Sequence, residues 1–336
     1  MHGKNVDEIA DTRLSTGPTF SMLCCANGAE NQVKQSIAAV GWRLAFSRPG
    51  FVTAKHDGVV DLPSGVFVRT ASESIGHLKN TDGETQIRSL VELLESKFPS
   101  GWQFDQVHVW PRDRLPIGKF GFEPGLDEVS KVVADRVYQA LSNDRIRSDG
   151  PNRIALPSAR VLDVVLVSPD DWFIGWHTAA KWHSRWPGGV QPIEPQYEPI
   201  SRAYYKAAES ITWSGFDFAP GDVVAEIGSA PGGACGRLLE LGMKVIGIDP
   251  AEMDARIEKH PRFRHLRARV DDLPRKEFRG VKWLLADGNV NPEKTLTMIE
   301  SIVTHRECSV SGMLLTMKLA DYDAADQIPQ WIDRIQ

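Results

Sequence analysis

"AEIGSAPGGACGRLLELGMKVIGIDP", residues 225–250, contains the end of one strand, a glycine-rich turn, a helix and a second strand. Gly228, Gly232 and Gly233 give the turn a backbone that can come close to a ligand, because glycine adopts conformations that other residues avoid. The helix after the turn presents its positively polarised N-terminal end to the same place. Asp249 closes the second strand, where a carboxylate can accept hydrogen bonds from both hydroxyls of a ribose. The pattern predicts a nucleotide-like ligand at this turn.

The same alternation of strand and helix continues towards the end of the chain. Short apolar strands recur at "VVAEI", "MKVIGI", "FRHLRA", "KWLLAD" and "GMLLTMKL", and "EKTLTMIESIVTH" between the last two is helical. Near-continuous apolar strands separated by helices predict a parallel sheet that is covered on both faces. Residues 199–336 are therefore predicted to form an α/β, Rossmann-like domain with a doubly wound parallel sheet. Its ligand is expected beyond the carboxyl ends of the strands.

The first half of the chain reads as two smaller mixed units. Residues 1–17 are polar and lack the apolar core of a signal peptide, so we expect a flexible N-terminus. Residues 18–66 alternate strand-like and helical segments, and residues 67–168 repeat this style with two amphipathic helices. Residues 169–198 are rich in tryptophan and proline and are predicted to be a linker to the last domain.

Composition is typical of a globular protein and excludes several classes. Of the 336 residues, 42% are hydrophobic and 25% are charged. The apolar runs are too short to cross a membrane, and the 4 cysteines have no zinc-ligand spacing. We therefore expect no membrane, no metal, no disulfide framework and a cytoplasmic location. The net charge of −5 argues against a wholly basic nucleic-acid coat, though not against a local basic face.

Two sequence clusters each allow two interpretations. Trp172, Trp176, Trp182 and Trp186 lie close together in the predicted linker. Stacking on bases is one interpretation of these rings, and packing between two domains is the one that we favour. The basic run 255–280 is either a solvated surface or a track for phosphates.

Details of the glycine turn favour S-adenosylmethionine over a dinucleotide. Glu226 lies two residues before the first glycine, which gives an acid-x-Gly start in place of Gly-x-Gly. Pro231 lacks the N–H that a pyrophosphate would bind. S-adenosylmethionine has no pyrophosphate but carries an amino group, a carboxylate and a sulfonium, and an acid at the mouth of the loop suits these groups.

These residues also carry a family resemblance. The stretch 225–250 resembles the first two motifs of the FtsJ/RrmJ-like RNA ribose 2′-O-methyltransferases, whose loop reads acid-Leu-Gly-Ala-x-Pro-Gly-Gly. That family uses a Lys–Asp–Lys–Glu tetrad. Three of its motifs recur here in order, as "SRAYYKAAE", "WLLADGNVNP" and "LLTMKLADYD". The resemblance implies that Lys206, Asp287 and Lys318 are the first three members of the tetrad.

The wider layout is similar to that of the large-subunit rRNA cytidine 2′-O-methyltransferases of this family. The similarity implies that residues 18–66 are a ferredoxin-like unit and residues 67–168 a THUMP-like RNA-binding domain. The chain departs from this group at Ser229-Ala230, where its loops tend to have Ala-Cys. It also ends at Gln336, before the sixth strand that carries the tetrad glutamate. We therefore expect a truncated methyltransferase domain whose C-terminal strands are missing.

The chemistry implied by the resemblance is the activation of a sugar hydroxyl. A hydroxyl is a poor nucleophile until its proton is removed, and a lysine removes it only if its pKa falls from about 10.4 towards neutrality. We expect Lys318 to be this base, with Lys206 and Asp287 as orienting groups. Asp271 and Asp272 follow the third strand, where either could accept from an adenine amino group or cap a loop. The expected cofactor site comprises Glu226, Gly228, Ser229, Ala230, Pro231, Gly232, Gly233, Asp249, Asp271 and Asp272.

The sequence therefore predicts methyl transfer from S-adenosylmethionine to a ribose 2′-hydroxyl of RNA. The expected partner is 23S-type rRNA or its precursor, gripped by the first half of the chain. A non-catalytic RNA-binding or assembly protein that keeps the same fold is one alternative. An NAD-dependent oxidoreductase is the second, which Glu226, Pro231 and the Lys–Asp–Lys set disfavour.

Overall fold

The computed structural model describes residues 18–79, 82–141, 144–181, 184–287, 290–319 and 322–335. The chain divides into two units, of which the first ends at Pro192 and the second begins at Ile193. Each unit has its own β-sheet and its own hydrophobic core. Among the described residues, no helix is both long enough and apolar enough to cross a membrane.

The first unit is built on a mixed sheet whose seven described strands lie in the order β2-β3-β1-β4-β7-β6-β5. Neighbouring strands are antiparallel except β5 and β6, which are parallel. The strands are β1 (Thr19–Cys24), β2 (Arg43–Arg48), β3 (Phe51–His56), β4 (Thr70–Lys79), β5 (Gln106–Pro111), β6 (Arg160–Ser168) and β7 (Asp171–Thr178). The helices are α1 (Glu30–Ala39), α2 (Gly83–Lys97) and α3 (Glu128–Leu141).

The helices of the first unit cover apolar strand residues. α1 packs Val33 and Ile37 into one core cluster with β1 and β3. α2 and α3 form a second, larger cluster with β5, β6 and β7. The side chain of Asp82 begins α2 by accepting hydrogen bonds from the backbone N–H groups of Glu84 and Thr85, as a helix N-cap should.

Two strands of this sheet differ from the expectation. The sequence pattern does not predict β4, although β4 lies in the middle of the sheet between β1 and β7. Residues 171–178 form β7, although the predicted domain boundaries place them in the linker, residues 169–198. The strands of the expected ferredoxin-like and THUMP-like units thus share a single sheet.

The tryptophan cluster belongs to the interior of the first unit. Trp172 and Trp176 lie on β7 and are buried in the core cluster with α2 and α3. Trp186 is also buried. Base stacking is therefore wrong as an interpretation of these three rings, and Trp172 and Trp176 pack within one unit rather than between two. Trp182 lies outside the described residues.

The second unit contains a sheet of five described strands in the order β10-β9-β8-β11-β12, and every neighbouring pair is parallel. The strands are β8 (Val223–Ile227), β9 (Lys244–Ile248), β10 (Phe263–Leu266), β11 (Trp283–Ala286) and β12 (Gly312–Leu315). The helices are α4 (Ala203–Ser214), α5 (Gly233–Glu240), α6 (Ala255–Glu258), α7 (Pro292–Val303) and α8 (Ile328–Ile335).

Helices lie on both faces of this parallel sheet. One core cluster joins Val224 and Leu285 to α4 and α5. The other joins Ala225 and Leu284 to α7, so neighbouring residues of each strand point to opposite faces and both faces are apolar. The predicted α/β fold with a doubly wound parallel sheet is confirmed.

The basic run 255–280 is largely engaged within the second unit. Four of its arginines form ion pairs with acidic residues, in the pairs Arg256–Asp254, Arg264–Glu277, Arg267–Glu252 and Arg279–Glu307. Arg262 donates hydrogen bonds to the backbone carbonyls of Leu239 and Gly242. These contacts favour the interpretation of the run as a solvated surface.

Candidate active site

A lysine and an aspartate meet at the carboxyl edge of the parallel sheet. Nζ of Lys206 donates hydrogen bonds to Oδ1 and Oδ2 of Asp287 at 3.3 and 3.0 Å. Lys206 lies on the outer side of α4, whose Tyr204, Ala207 and Ala208 are buried. Asp287 directly follows β11. Its side chain is 18% exposed and that of Lys206 is 52% exposed, so the aspartate is the more buried member of the pair.

Lys318 lies beyond the end of the neighbouring strand. β12 runs parallel to β11 with Leu315 beside Ala286, and the N–H of Thr316 donates to the carbonyl of Ala286 at 2.8 Å. Asp287 and Lys318 therefore both follow strand ends at the same edge of the sheet, on adjacent strands. α4, which carries Lys206, also contacts β12.

The glycine turn connects β8 to α5 and is tied to the end of β9. The N–H of Gly228 donates to the carbonyl of Ile248 at 2.9 Å, and Gly228 has a φ of +78°. The N–H of Ala230 donates to Oδ2 of Asp249 at 3.2 Å. Oδ1 of Asp249 accepts from the N–H of Ala251 at 2.8 Å. Asp249 thus holds the turn in shape with one hydrogen bond to each oxygen, and a carboxylate can accept more than these two.

Gly232 and Gly233 are required by neighbouring protein groups. A Cβ atom at Gly233 would lie 2.1 Å from Oγ of Ser201, which precedes α4. A Cβ atom at Gly232, whose φ is +115°, would lie 2.8 Å from Cγ1 of Ile257 on α6. These two glycines therefore let α4, α5 and α6 pack closely around the turn, and their expected contact with a ligand stays a prediction. Ser229 and Ala230–Pro231 complete the turn, and Ser229 is buried.

Glu226 lies beneath the turn rather than at an open mouth. It is 2% exposed, and its Oε2 has no hydrogen-bond partner among the described residues. Burial, together with the negative charges of Asp287 and Asp249, raises the pKa of this carboxyl to about 8, although hydrogen bonds from Cys235 oppose the shift. Three carboxyl groups therefore interact around one point, and the site favours a cation.

Asp271 and Asp272 lie apart from these groups. They occupy a short 3₁₀ turn, Val270–Asp272, which follows β10, and both are exposed. Neither carboxylate makes a hydrogen bond or ion pair with another described residue, so the loop-cap interpretation is wrong. The contact of either residue with adenine stays a prediction.

A buried network holds α4 in place, and the sequence reasoning missed it. The hydroxyl of Tyr204 donates to Oε2 of Glu240 at 2.5 Å, and Arg237 donates to the same oxygen at 2.6 Å. Burial and the Glu240 carboxylate raise the pKa of Tyr204 to about 12. These contacts fix the helix that carries Lys206 against α5. The available signal was the Arg-x-x-Glu spacing in "GRLLE", which puts both side chains on one face of a helix.

Residues 199–319 match the family model of the FtsJ-like methyltransferases. This region is an FtsJ-like methyltransferase domain. It contains the whole parallel sheet, the glycine turn and the Lys206–Asp287 pair. The resemblance expected from the motifs is confirmed for this part of the chain.

Curated relatives extend the similarity beyond the FtsJ-like domain. The ribosomal RNA large subunit methyltransferase M of Laribacter hongkongensis is 25% identical over 305 residues, which cover 85% of this chain and 78% of the relative. Its counterpart in Pseudomonas paraeruginosa is 22% identical over 306 residues, which cover 82% of this chain and 86% of the relative. Among solved structures, TrmN from Thermus thermophilus is similar over 85% of this chain and 83% of its own, at 17% identity and a TM-score of 0.30.

The FtsJ-like methyltransferase domain uses S-adenosylmethionine as its cofactor. The residues at the turn fit this cofactor. The unpartnered Oε2 of Glu226, with Asp249 and Asp287 nearby, suits a ligand that carries a sulfonium and an ammonium group. The NAD-dependent alternative is wrong.

Proposed function

We propose that the protein transfers a methyl group from S-adenosylmethionine to a ribose 2′-hydroxyl of RNA, in large-subunit rRNA. The observation that carries the proposal is the contact between Lys206 and Asp287 at the sheet edge where Lys318 also emerges. Two ammonium groups and a carboxylate beside the glycine turn match the chemistry that a sugar hydroxyl needs. A site that only bound a cofactor would not need two lysines.

The chain's own residues would activate and orient the hydroxyl. In its neutral form, Lys318 removes the hydroxyl proton as the nucleophile forms, and such general bases contribute roughly 10²–10⁴ in rate. The ammonium of Lys206 donates a hydrogen bond to Asp287 at 3.0 Å, which would hold this cation near the reacting oxygen. A fixed cation stabilises the negative charge that develops on that oxygen.

The residues that would bind the cofactor lie at the same edge of the sheet. Bound S-adenosylmethionine supplies a methyl group activated by its sulfonium. The carboxylate of Asp249 would hold the ribose of the cofactor, and Glu226 with Asp287 would face its cationic groups. The amino end of α5 and the turn at Gly228 would receive its carboxylate.

The choice of substrate rests on the relatives. The two proteins named ribosomal RNA large subunit methyltransferase M align with 85% and 82% of this chain, more than either unit alone contains. The first unit therefore has counterparts in proteins whose name specifies rRNA. This similarity supports a role of the first unit in gripping the same class of RNA.

Transfer of radiolabelled methyl groups to large-subunit rRNA tests the proposal. We expect the full chain to label the RNA, and Lys318→Ala to lose about 10²–10⁴ of the rate while still binding S-adenosylmethionine. Lys282→Ala is the matched control, because Lys282 pairs with Asp222 at 2.9 Å at the opposite, amino edge of the same sheet. Equal loss in both variants, or RNA binding with no transfer by the wild-type chain, would contradict the assignment. The second result would favour the non-catalytic alternative.

A further inference from the structure

The loop between β5 and α3 carries an exposed apolar and basic segment, residues 114–121, "RLPIGKFG". All eight residues are exposed, and we call this segment the finger. The ring of Phe120 is 94% exposed, and Leu115 and Ile117 are exposed as well. Single exposed apolar residues are common, but three within eight residues form a patch that marks an interaction site.

The backbone fixes the finger in one shape. The N–H of Gly118 donates to the carbonyl of Phe122 at 2.8 Å, and the N–H of Phe122 donates to that of Lys119 at 2.9 Å. Phe120 lies between two glycines of positive φ and has itself a φ of +51°. A bulky residue rarely adopts this left-handed conformation, and such strain concentrates where a side chain is presented for a function. Phe120 is thus held away from the protein rather than folded onto it.

The finger carries two cations close to Phe120 in the sequence. It contains Arg114 and Lys119 and no acidic residue, and Arg114 pairs with Asp127 outside the finger at 3.4 Å while remaining exposed. At its base, burial lowers the pKa of Arg112, and the positive charges of Arg114 and Arg48 lower it further, while Asp171 and Glu30 act in the opposite direction. Three guanidinium groups therefore lie within electrostatic range of one another. The neighbouring Asp113 is already paired with Arg69 at 2.7 Å.

An unpaired nucleotide is the partner that fits this combination. A base can stack on the free face of a phenylalanine ring, and lysine and arginine can bind the flanking phosphates. A protein-docking patch usually depletes lysine at its centre, whereas Lys119 is adjacent to Phe120. We propose that the finger binds single-stranded RNA, with a base stacked on Phe120 and phosphates bound by Arg114 and Lys119. This inference rests on the proposed RNA substrate and names the surface of the first unit that grips it.

Binding of a fluorescent single-stranded RNA oligonucleotide to the full chain, measured by anisotropy, tests the finger. Stacking on one aromatic ring contributes about 1–3 kcal/mol, so we expect Phe120→Ala to weaken binding about 5- to 150-fold. Phe120→Leu keeps an apolar side chain but no ring and should lose the same affinity. Phe120→Trp should keep it. Leu156→Ala, which changes another apolar loop residue that is 73% exposed, is the matched control and should have no effect.

The salt dependence of binding tests the two cations. Each lost phosphate contact lowers the slope of log affinity against log salt by about 0.7 for a single strand. Arg114→Ala and Lys119→Ala should each show this decrease, and a duplex of the same sequence should not distinguish Phe120→Ala from the wild type. Equal affinity of Phe120→Ala and Phe120→Trp for the single strand would overturn the proposal. So would a loss of self-association or of vesicle binding in Phe120→Ala with RNA affinity unchanged.

The test of RNA binding by the finger can succeed or fail independently of the proposed methyl transfer. Methyl transfer by the wild-type chain, with unchanged RNA affinity and KM in Phe120→Ala, would refute the finger and leave the activity standing. Weakened single-strand binding in Phe120→Ala, in a chain that transfers no methyl group, would support the finger and refute the activity.

Discussion

Nζ of Lys206 lies 3.0 Å from Oδ2 of Asp287 and joins helix α4 to the carboxyl end of β11. The two residues are 81 positions apart, so their contact depends on the fold of the second unit. Because Lys206 is half exposed, such a pair stabilises a protein by no more than about 1 kcal/mol. Stability alone therefore gives little reason for the contact, and a catalytic role of the two side chains gives a better one.

Removing either member of this pair should reduce activity and leave the fold intact. We expect Lys206→Ala and Asp287→Asn to lower the single-turnover rate of methyl transfer about 10²–10⁴-fold, because the fixed charge near the reacting oxygen is lost. The free energy of unfolding should change by less than about 1 kcal/mol. Rapid-quench kinetics and chemical unfolding measure the two quantities. An unchanged rate in both variants would show that the pair is structural.

The affinity for S-adenosylmethionine should rise with pH. Glu226 has a pKa of about 8 without ligand, so it is mostly neutral at pH 7, and a cationic ligand favours its ionised form. Binding should therefore release a proton, and affinity should rise up to about tenfold per pH unit between pH 6 and 8 and level off above. Calorimetry in two buffers with different heats of ionisation counts the released proton.

Glu226→Gln is the control for this proton release, because it removes the titrating group and keeps the size of the side chain. The amino group of the ligand titrates in both proteins, so the difference between them isolates Glu226. S-adenosylhomocysteine lacks the sulfonium but keeps the amino group. Comparing its proton release with that of S-adenosylmethionine therefore shows which of the two cations Glu226 faces. An equal number of released protons in the wild type and Glu226→Gln would refute the role of this carboxyl.

Gly233→Ala should destabilise the second unit. The added Cβ would lie 2.1 Å from Oγ of Ser201, and overpacking of this kind costs about 1–3 kcal/mol. Chemical unfolding of the full chain measures the loss. In the double variant Ser201→Ala/Gly233→Ala the hydroxyl is gone but the Ser201 carbonyl remains at 3.1 Å from the new atom, so we expect only partial recovery. An unchanged free energy of unfolding in Gly233→Ala would mean that α4 can move away from the added Cβ without cost.

The two glycines illustrate the limit of the sequence reasoning. The glycine turn predicts a close approach at positions 232 and 233, and the structure has one. The sequence does not tell whether the approaching group is a ligand or a helix of the same chain. Ser201 precedes Gly233 by thirty-two positions, and Ile257 follows Gly232 on another helix, so only the fold reveals them as the neighbours.

The second unit was predictable because its strands are apolar and regularly spaced. β4 was not, since its sequence "TASESIGHLK" has little apolar content. The structure gives the reasons: Ser72 donates to the buried Asp163 at 2.5 Å, and a side chain at Gly76 would collide with Leu93. The neighbours that require small or polar side chains in β4 are distant from it in sequence.

His177 should make the stability of the first unit depend on pH. Its ring lies between Oδ2 of Asp163 at 2.5 Å and the carbonyl of Ser184 at 2.7 Å. Burial lowers the pKa of His177, but the charge and hydrogen bond of Asp163 outweigh it, so the pKa is raised above 6.5. The stabilisation is therefore complete below pH 6.5 and is lost as pH rises through the raised pKa. His177→Gln should show less of this decline in unfolding titrations.

His108 provides a control of opposite sign. Burial lowers its pKa to about 4, so its contribution is lost as pH falls from 6.5 towards 4. Replacement of His108 should leave the decline above pH 6.5 unchanged. If His177→Gln and the wild type lost stability in parallel above pH 6.5, the ion pair with Asp163 would not be the cause.

The position of the transferred methyl group tests the central claim most directly. Large-subunit rRNA methylated by the full chain can be digested to nucleosides and analysed by mass spectrometry. We predict a 2′-O-methylated nucleoside whose amount falls with Lys318→Ala and not with Lys282→Ala, and no product from RNA with a 2′-deoxy sugar at the acceptor position. A methyl group on a base, or undiminished methylation of the deoxy substrate, would contradict the account.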